Sequence, residues 1–166
     1  MNNSDSSDYV ISRISSAEIM LREAREPKQA IEIADVAEAA RIYAKRARAA
    51  VPVINHAAAL KISAERKAGE LLRQMELKPG PKPNNSATLS TLGISLTQSA
   101  RWQQAASVPE KDFRDYLQKA NEAGEEITSA GVYKLAKQKV EEDKRHKAKW
   151  SDREKELHDR LKAGET

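Results

Sequence analysis

Seven residues in the second half of the chain have the types and spacing to grip and read an anionic polymer. Ser95, Thr97, Gln98, Arg101 and Gln104 share one short helical pattern, and Lys134 and Lys137 stand on another. At steps of four and three, Thr97, Arg101 and Gln104 fall on one side of a helix. The arginine fork can donate two bonds to O6 and N7 of guanine, and a glutamine can read adenine or hold a phosphate. Ser95, Thr97 and Gln98 sit where a first helical turn approaches phosphates or base edges, and the lysines, with Lys139 beside them, can contact phosphates.

These side chains need a turn that aims them. In the run from Ala87 to Ala106 a short helix stops at Gly93, Ile94 follows as an apolar plug, and Ser95 caps a second, polar-faced helix. Glycine is at ease with the positive φ that a steep three- or four-residue corner requires. The pattern predicts a helix-turn-helix whose second helix suits the major groove. A turn of this kind also joins helices in ordinary bundles, where Leu89, Leu92 and Trp102 are core. Four helices are expected here: Ala87–Leu92, Leu96–Ser107, Pro109–Ala123, and one from Ser129 with a Thr128 cap. Phe113, Tyr116, Leu117 and Ala120 form an apolar stripe on the third, and Val132, Leu135, Ala136 and Val140 on the fourth.

Other chemistries find little support. There is no cysteine, and His56, His146 and His158 are too dispersed for a structural zinc site. No phosphate-cradling glycine loop or nucleophile elbow is present, and the adjacent pairs Glu125-Glu126 and Glu141-Glu142 diverge on a helix. The chain reads as a non-enzyme without cofactor or metal. No run is long enough to span a bilayer, which points to the cytoplasm and to no membrane partner. Only 4% of residues are aromatic while 33% are charged and alanine is abundant, a balance that favours an all-α fold of closely packed helices. The net charge of +4 is compatible with an anionic partner without establishing one.

The first half supplies a scaffold. Residues 1–14 read as a disordered tail, followed by a short helix over Ser16–Arg25, capped by Ser15 or Ser16 and closed by Pro27. Apolar residues then recur at Ala30, Ile33, Ala37, Ala40, Ala44, Ala47 and Val51, and again at Ile54, Ala57, Ala64, Ala68, Leu71 and Met75, with Lys61 interrupting. These are two heptad seams separated by Pro52. They predict a long helical hairpin over 15–77, a site of coiled-coil dimerisation; a kinked continuous helix is the competing geometry. Three prolines and a glycine make 78–86 a linker. The helix-turn-helix domain occupies 87–140, and 141–166 is a charged helical tail in which a capping box from Ser151 to Glu154 opens a last short helix carrying Leu157 and Leu161. Glu65, Arg66, Lys67 and Glu70 read as a solvated face with an Arg66–Glu70 pair. Arg41, Lys45, Arg46 and Arg48 offer a second phosphate patch, though a solvated face is favoured, and His56 reads as a packing or surface residue.

The segment with Leu92-Gly-Ile-Ser95, Gln98-Ser99-Ala-Arg101-Trp102-Gln103, Val108-Pro-Glu110, Phe113 and Gly124-Glu-Glu-Ile-Thr128 resembles a DNA-binding region of phage and prophage proteins. Related stretches accompany ParB-like proteins and some phage DNA adenine methyltransferases. Ala39-Ala-Arg41-Ile-Tyr43-Ala-Lys45 and Ala64-Glu-Arg-Lys-Ala-Gly-Glu-Leu-Leu72 resemble the helical region preceding it, so the likeness spans about residues 17 to 137. It departs from the common pattern at Leu89, where a small residue is usual, and at Ser99, where a branched apolar one is usual. The resemblance implies a sequence-specific binder of double-stranded DNA, a phage or prophage regulator acting as a dimer, with room for a phage or host protein partner. No methyltransferase or nuclease motif accompanies it. The alternatives are a helical adaptor that never touches DNA and a DNA-packaging subunit resembling a small terminase.

Overall fold

The computed structural model describes residues 3–76 and 86–162. Among them the order is α1 (Asn3–Glu23), α2 (Pro27–Arg46), α3 (Val51–Glu76), α4 (Ser86–Thr91), α5 (Leu96–Ala106), α6 (Glu110–Ala123) and α7 (Ser129–Lys162), with no strand. The fold is all-α, as the alanine-rich, aromatic-poor composition implies. The proline-rich linker lies outside the described residues except for Ser86, which opens α4.

The first helix covers more of the N-terminal stretch than expected. α1 starts at Asn3 and runs through most of the stretch read as a tail, because Val10, Ile14 and Ala17, at steps of four and three, bury against α2 and α3. Ser15 and Ser16 are not caps. They sit within the helix and donate their hydroxyls back to the carbonyls of Ile11 and Ser12, at 3.0 and 3.1 Å.

α2 and α3 form the predicted hairpin. Ala30, Ile33, Ala37 and Ala44 are buried on the first arm, Ile54, Ala57, Ala64 and Ala68 on the second. The turn between them contains no glycine; Arg48 itself takes the left-handed conformation, φ 53°. Its amide donates to the Lys45 carbonyl and the Ala49 amide to Ala44, which satisfies the last carbonyls of α2. Pro52 falls in the first turn of α3, where no backbone donor is needed, so it opens a helix instead of kinking one.

α3 is the axis of the whole molecule. One side carries the hairpin seam and α1. The other carries Ala58 and Ile62, which are buried with Ala105, Val108, Phe113, Ile127, Val132 and Ala136 of the later helices. Near its C-terminal end Ala68, Leu71 and Leu72 join Ala30 of α2 with Leu89, Ile94 and Trp102. Two of the three cores therefore unite the hairpin with the helix-turn-helix. The alanine seams pack inside the chain: Ala68 is fully buried and Ala40 half-buried.

A second correction concerns the tail. α7 continues without a break past Ser151 to Lys162, so no new helix opens there. Val140, expected in the apolar stripe, is 43% exposed, because the bundle ends one turn before it.

Candidate nucleic-acid interface

The corner between α4 and α5 is built as its sequence dictates. Gly93 adopts φ 72°, its amide bonds the Ser90 carbonyl at 3.0 Å, and the Ile94 amide bonds that of Leu89 at 3.0 Å. Gly124 closes α6 in the same manner, with φ 67°. Ile94 plugs the corner and is buried. Ser95 then caps α5, its hydroxyl accepting from the Gln98 amide at 3.1 Å.

α5 is anchored by Ser99, Trp102 and Ala105, all buried against α3 and its neighbours. Leu89 and Ser99, the two departures from the common pattern, are each 1% exposed, so the large and the small residue both belong to the packed interface. The outward side of α5 carries Thr97, Gln98 and Arg101, all exposed, with Ser95 at its start and Gln104 half-buried one turn on. Lys134 and Lys137 are exposed on α7. Five of the seven expected residues thus cluster along α5, and two stand on the helix packed beside it.

The two helices are joined by a buried polar centre that the sequence did not announce. Glu65 of α3, read as part of a solvated face, is 7% exposed. It accepts from the Ser129 hydroxyl at 3.1 Å and from the Trp102 indole, and Lys61 stands 3.7 Å away. Burial pushes its carboxyl above the usual range, and these partners oppose the shift. Tyr133 lies against the same centre, its phenol pushed up to about 12 by burial and by the Glu65 charge, while the Arg101 charge opposes. The Arg101 charge thus acts across the junction between α5 and α7.

Other missed residues hold α5 in place. Gly69 lies under α5: a Cβ there would meet the Trp102 carbonyl and sit 2.7 Å from the Gln103 amide nitrogen. Arg73 donates to the Gln103 carbonyl at 2.6 Å, near the end of α5. Arg66 does not pair with Glu70 in the way its spacing suggested. It stacks 4.0 Å above the Phe113 ring, donates to the Val108 carbonyl at 2.8 Å and approaches Glu110 at 3.5 Å. Asn55, 1% exposed, binds Asn121, the Glu125 carbonyl and the Ile127 amide at 2.8–2.9 Å, tying α3 to the corner that launches α7. A signal for some of these was available: a glycine and an asparagine at inward positions of an otherwise strong helix.

The second candidate patch is partly neutralised. Arg41 is held by Glu38 at 2.7 and 2.8 Å, and Lys45 pairs with Glu126. Lys139 likewise meets Asp112 and Glu142. His56 makes a 2.9 Å contact with Glu18. Among the described residues no three His, Cys, Asp or Glu side chains converge in a way that could hold a metal, and no helix is long and apolar enough to cross a membrane. Comparison with protein-family models, curated proteins and solved structures returns no match to the chain.

Proposed function

We propose that this protein binds double-stranded DNA in a sequence-dependent way, with α5 as the reading helix, and acts as a dimeric regulator of phage or prophage type. The observation that carries this reading is the division of α5 into two sides. Ser99, Trp102 and Ala105 fix it to the bundle, while Thr97, Gln98 and Arg101 point outward from a serine-capped start beside the cationic surface of α7. A helix held this way can enter the major groove N-terminus first, with short polar groups near phosphates and Arg101 at a base edge. Binding, not catalysis, is the chemistry these residues support.

A single helix-turn-helix makes few base contacts, and doubling it is the usual route to specificity. With the seams buried inside each chain, the pairing surface falls to the apolar groove between α1 and α2, about 330 Å³, lined by Tyr9, Val36, Ala39, Ala40 and Tyr43. The competing adaptor reading is favoured by a different feature, a cleft of about 580 Å³ along the outer side of α3, walled by Leu21, Leu60, Phe113 and Leu117.

The test compares Arg101→Ala with Lys134→Ala on matched and scrambled duplexes at two salt concentrations. Arg101→Ala should remove about 1–3 kcal/mol of discrimination at one base pair, the range for a bidentate contact. Lys134→Ala should weaken binding to every duplex and flatten the salt dependence by about one phosphate contact. If Arg101→Ala binds both duplexes as wild type does, α5 is not the reader. If wild type shows no salt-sensitive binding to any duplex, the adaptor reading replaces this one.

A further inference from the structure

Beyond Ala136, the last of its residues described as buried, α7 runs on to Lys162, about 39 Å at 1.5 Å per residue, and every residue from 141 to 160 is exposed. Two sides of this helix are fixed by its neighbours. Gly131 and Lys139 face α6, where Tyr116 and Asp112 meet them. Ser129 and Tyr133 face α3 and α5, through Glu65 and Arg101.

Continued along the helix at about 100° per residue, the Tyr133 side takes Lys137, Lys144, Lys147, Lys155 and Lys162, with Ser151 and His158 between them. No acidic residue falls in that sector. Asp143 and Glu154 lie on its α6 border, and Glu141, Asp152 and Asp159 lie beyond the opposite one. Lys144 touches Glu141 at 3.0 Å, an exposed pair of the weak kind.

We propose that this lysine side of α7 is a second contact with double-stranded DNA, tracking the phosphate backbone beyond the site read by α5. The proposal rests on the DNA-binding reading above and extends its footprint. Lys137 to Lys162 spans about 38 Å, close to one turn of B-form DNA. The sector begins beside Ser129 and Tyr133, where α7 meets the Glu65 centre that Trp102 of α5 shares, so one duplex can meet both. A lipid surface fits less well: the exposed Trp150 and Leu157 lie off the lysine side, and Asp143 and Glu154 stand beside them.

The test uses the full chain and a non-specific duplex of about 40 base pairs, roughly four turns. Affinity is followed between about 50 and 200 mM salt. Two triple variants remove equal charge from opposite sides of α7: Lys144→Ala with Lys147→Ala and Lys155→Ala, and Lys149→Ala with Arg153→Ala and Arg160→Ala. Alanine favours helix, so both keep α7 intact, which circular dichroism verifies. The lysine triple should lower the magnitude of the log–log salt slope by about 2 to 3, and the arginine-containing triple should leave it at the wild-type value. Equal loss in both variants, or loss in neither while wild type binds, overturns the proposal. Failure of wild type to bind any duplex sinks the underlying reading instead, and this contact with it. Co-sedimentation of wild type with anionic phosphatidylserine vesicles, lost in the lysine triple while the DNA slope is unchanged, would assign the surface to membranes and overturn it as well.

Discussion

Replacing Gly69 with alanine should destabilise the protein, although helix propensity alone predicts the reverse. Mid-helix, glycine costs about 1 kcal/mol relative to alanine, so an isolated α3 would gain by the change. In the folded chain the added Cβ would meet the Trp102 carbonyl and lie 2.7 Å from the Gln103 nitrogen. Both atoms are backbone, so no rotamer change relieves the contact and α3 and α5 must move apart. That loosens Ser99, Trp102 and Ala105 together, the three residues that anchor α5. Overpacking of this sort costs 1–3 kcal/mol and here falls at the upper end, so the net loss is about 2 kcal/mol. With a urea m-value of about 2 kcal/mol/M, the unfolding midpoint followed by circular dichroism should drop by about 1 M. An unchanged or higher midpoint for Gly69→Ala would refute the close approach of α5 to α3.

Asn55→Ala leaves the Ile127 amide and the Glu125 carbonyl without the partner they have in wild type, and should cost about 3 kcal/mol in urea unfolding; a loss below about 1 kcal/mol would show that water replaces the side chain. Glu65 bears on pH. Its carboxyl is raised by burial, so the folded state binds the proton more tightly than the unfolded one, and stability falls as pH rises from the ordinary carboxylate range through the raised folded value. Wild type should therefore lose stability relative to Glu65→Gln over that interval, and parallel pH profiles for the two would contradict the burial of the charge. Val36→Glu puts a charge in the α1–α2 groove and should convert a dimeric mass in light scattering to a monomeric one. An unchanged dimeric mass with intact helicity removes that groove as the pairing surface, and a mass of many subunits favours the packaging subunit.

The helices of the second half were legible because their punctuation is local. Gly93, Ser95, Gly124 and Thr128 mark ends by backbone geometry and side-chain capping, which need no knowledge of neighbours, and α4 to α6 follow them to within a residue or so. The hairpin was legible for a different reason, its two alanine seams. What the seams face was not, since an apolar stripe does not name its partner, and α3 carries a second buried side that joins it to α5 and α6. The N-terminal tail was misread because its serines and aspartates masked Val10 and Ile14, whose value appears only when α2 is beside them. Glu65 was misread for the same cause in reverse: a charged residue among Arg66, Lys67 and Glu70 looks solvated until Ser129 and Trp102 arrive from distant sequence. The candidate site residues on α5 could be placed because a capped helix fixes its own outward side. Their connection to α7 through Tyr133 and Glu65 could not.

Because α5 shares buried residues with both α2 and α3, its direction is set by the body of the protein and not by a tether. On the DNA-binding reading, two copies paired through α1 and α2 would hold their reading helices like the jaws of a fixed gauge. Such a pair measures a distance as well as a sequence. Adding one base pair between half-sites turns the second by about 35° and moves it by about 3.4 Å, a mismatch that a flexible linker would absorb and a rigid body cannot. The recognised sites should then share one spacing throughout a genome, even where their outer bases vary.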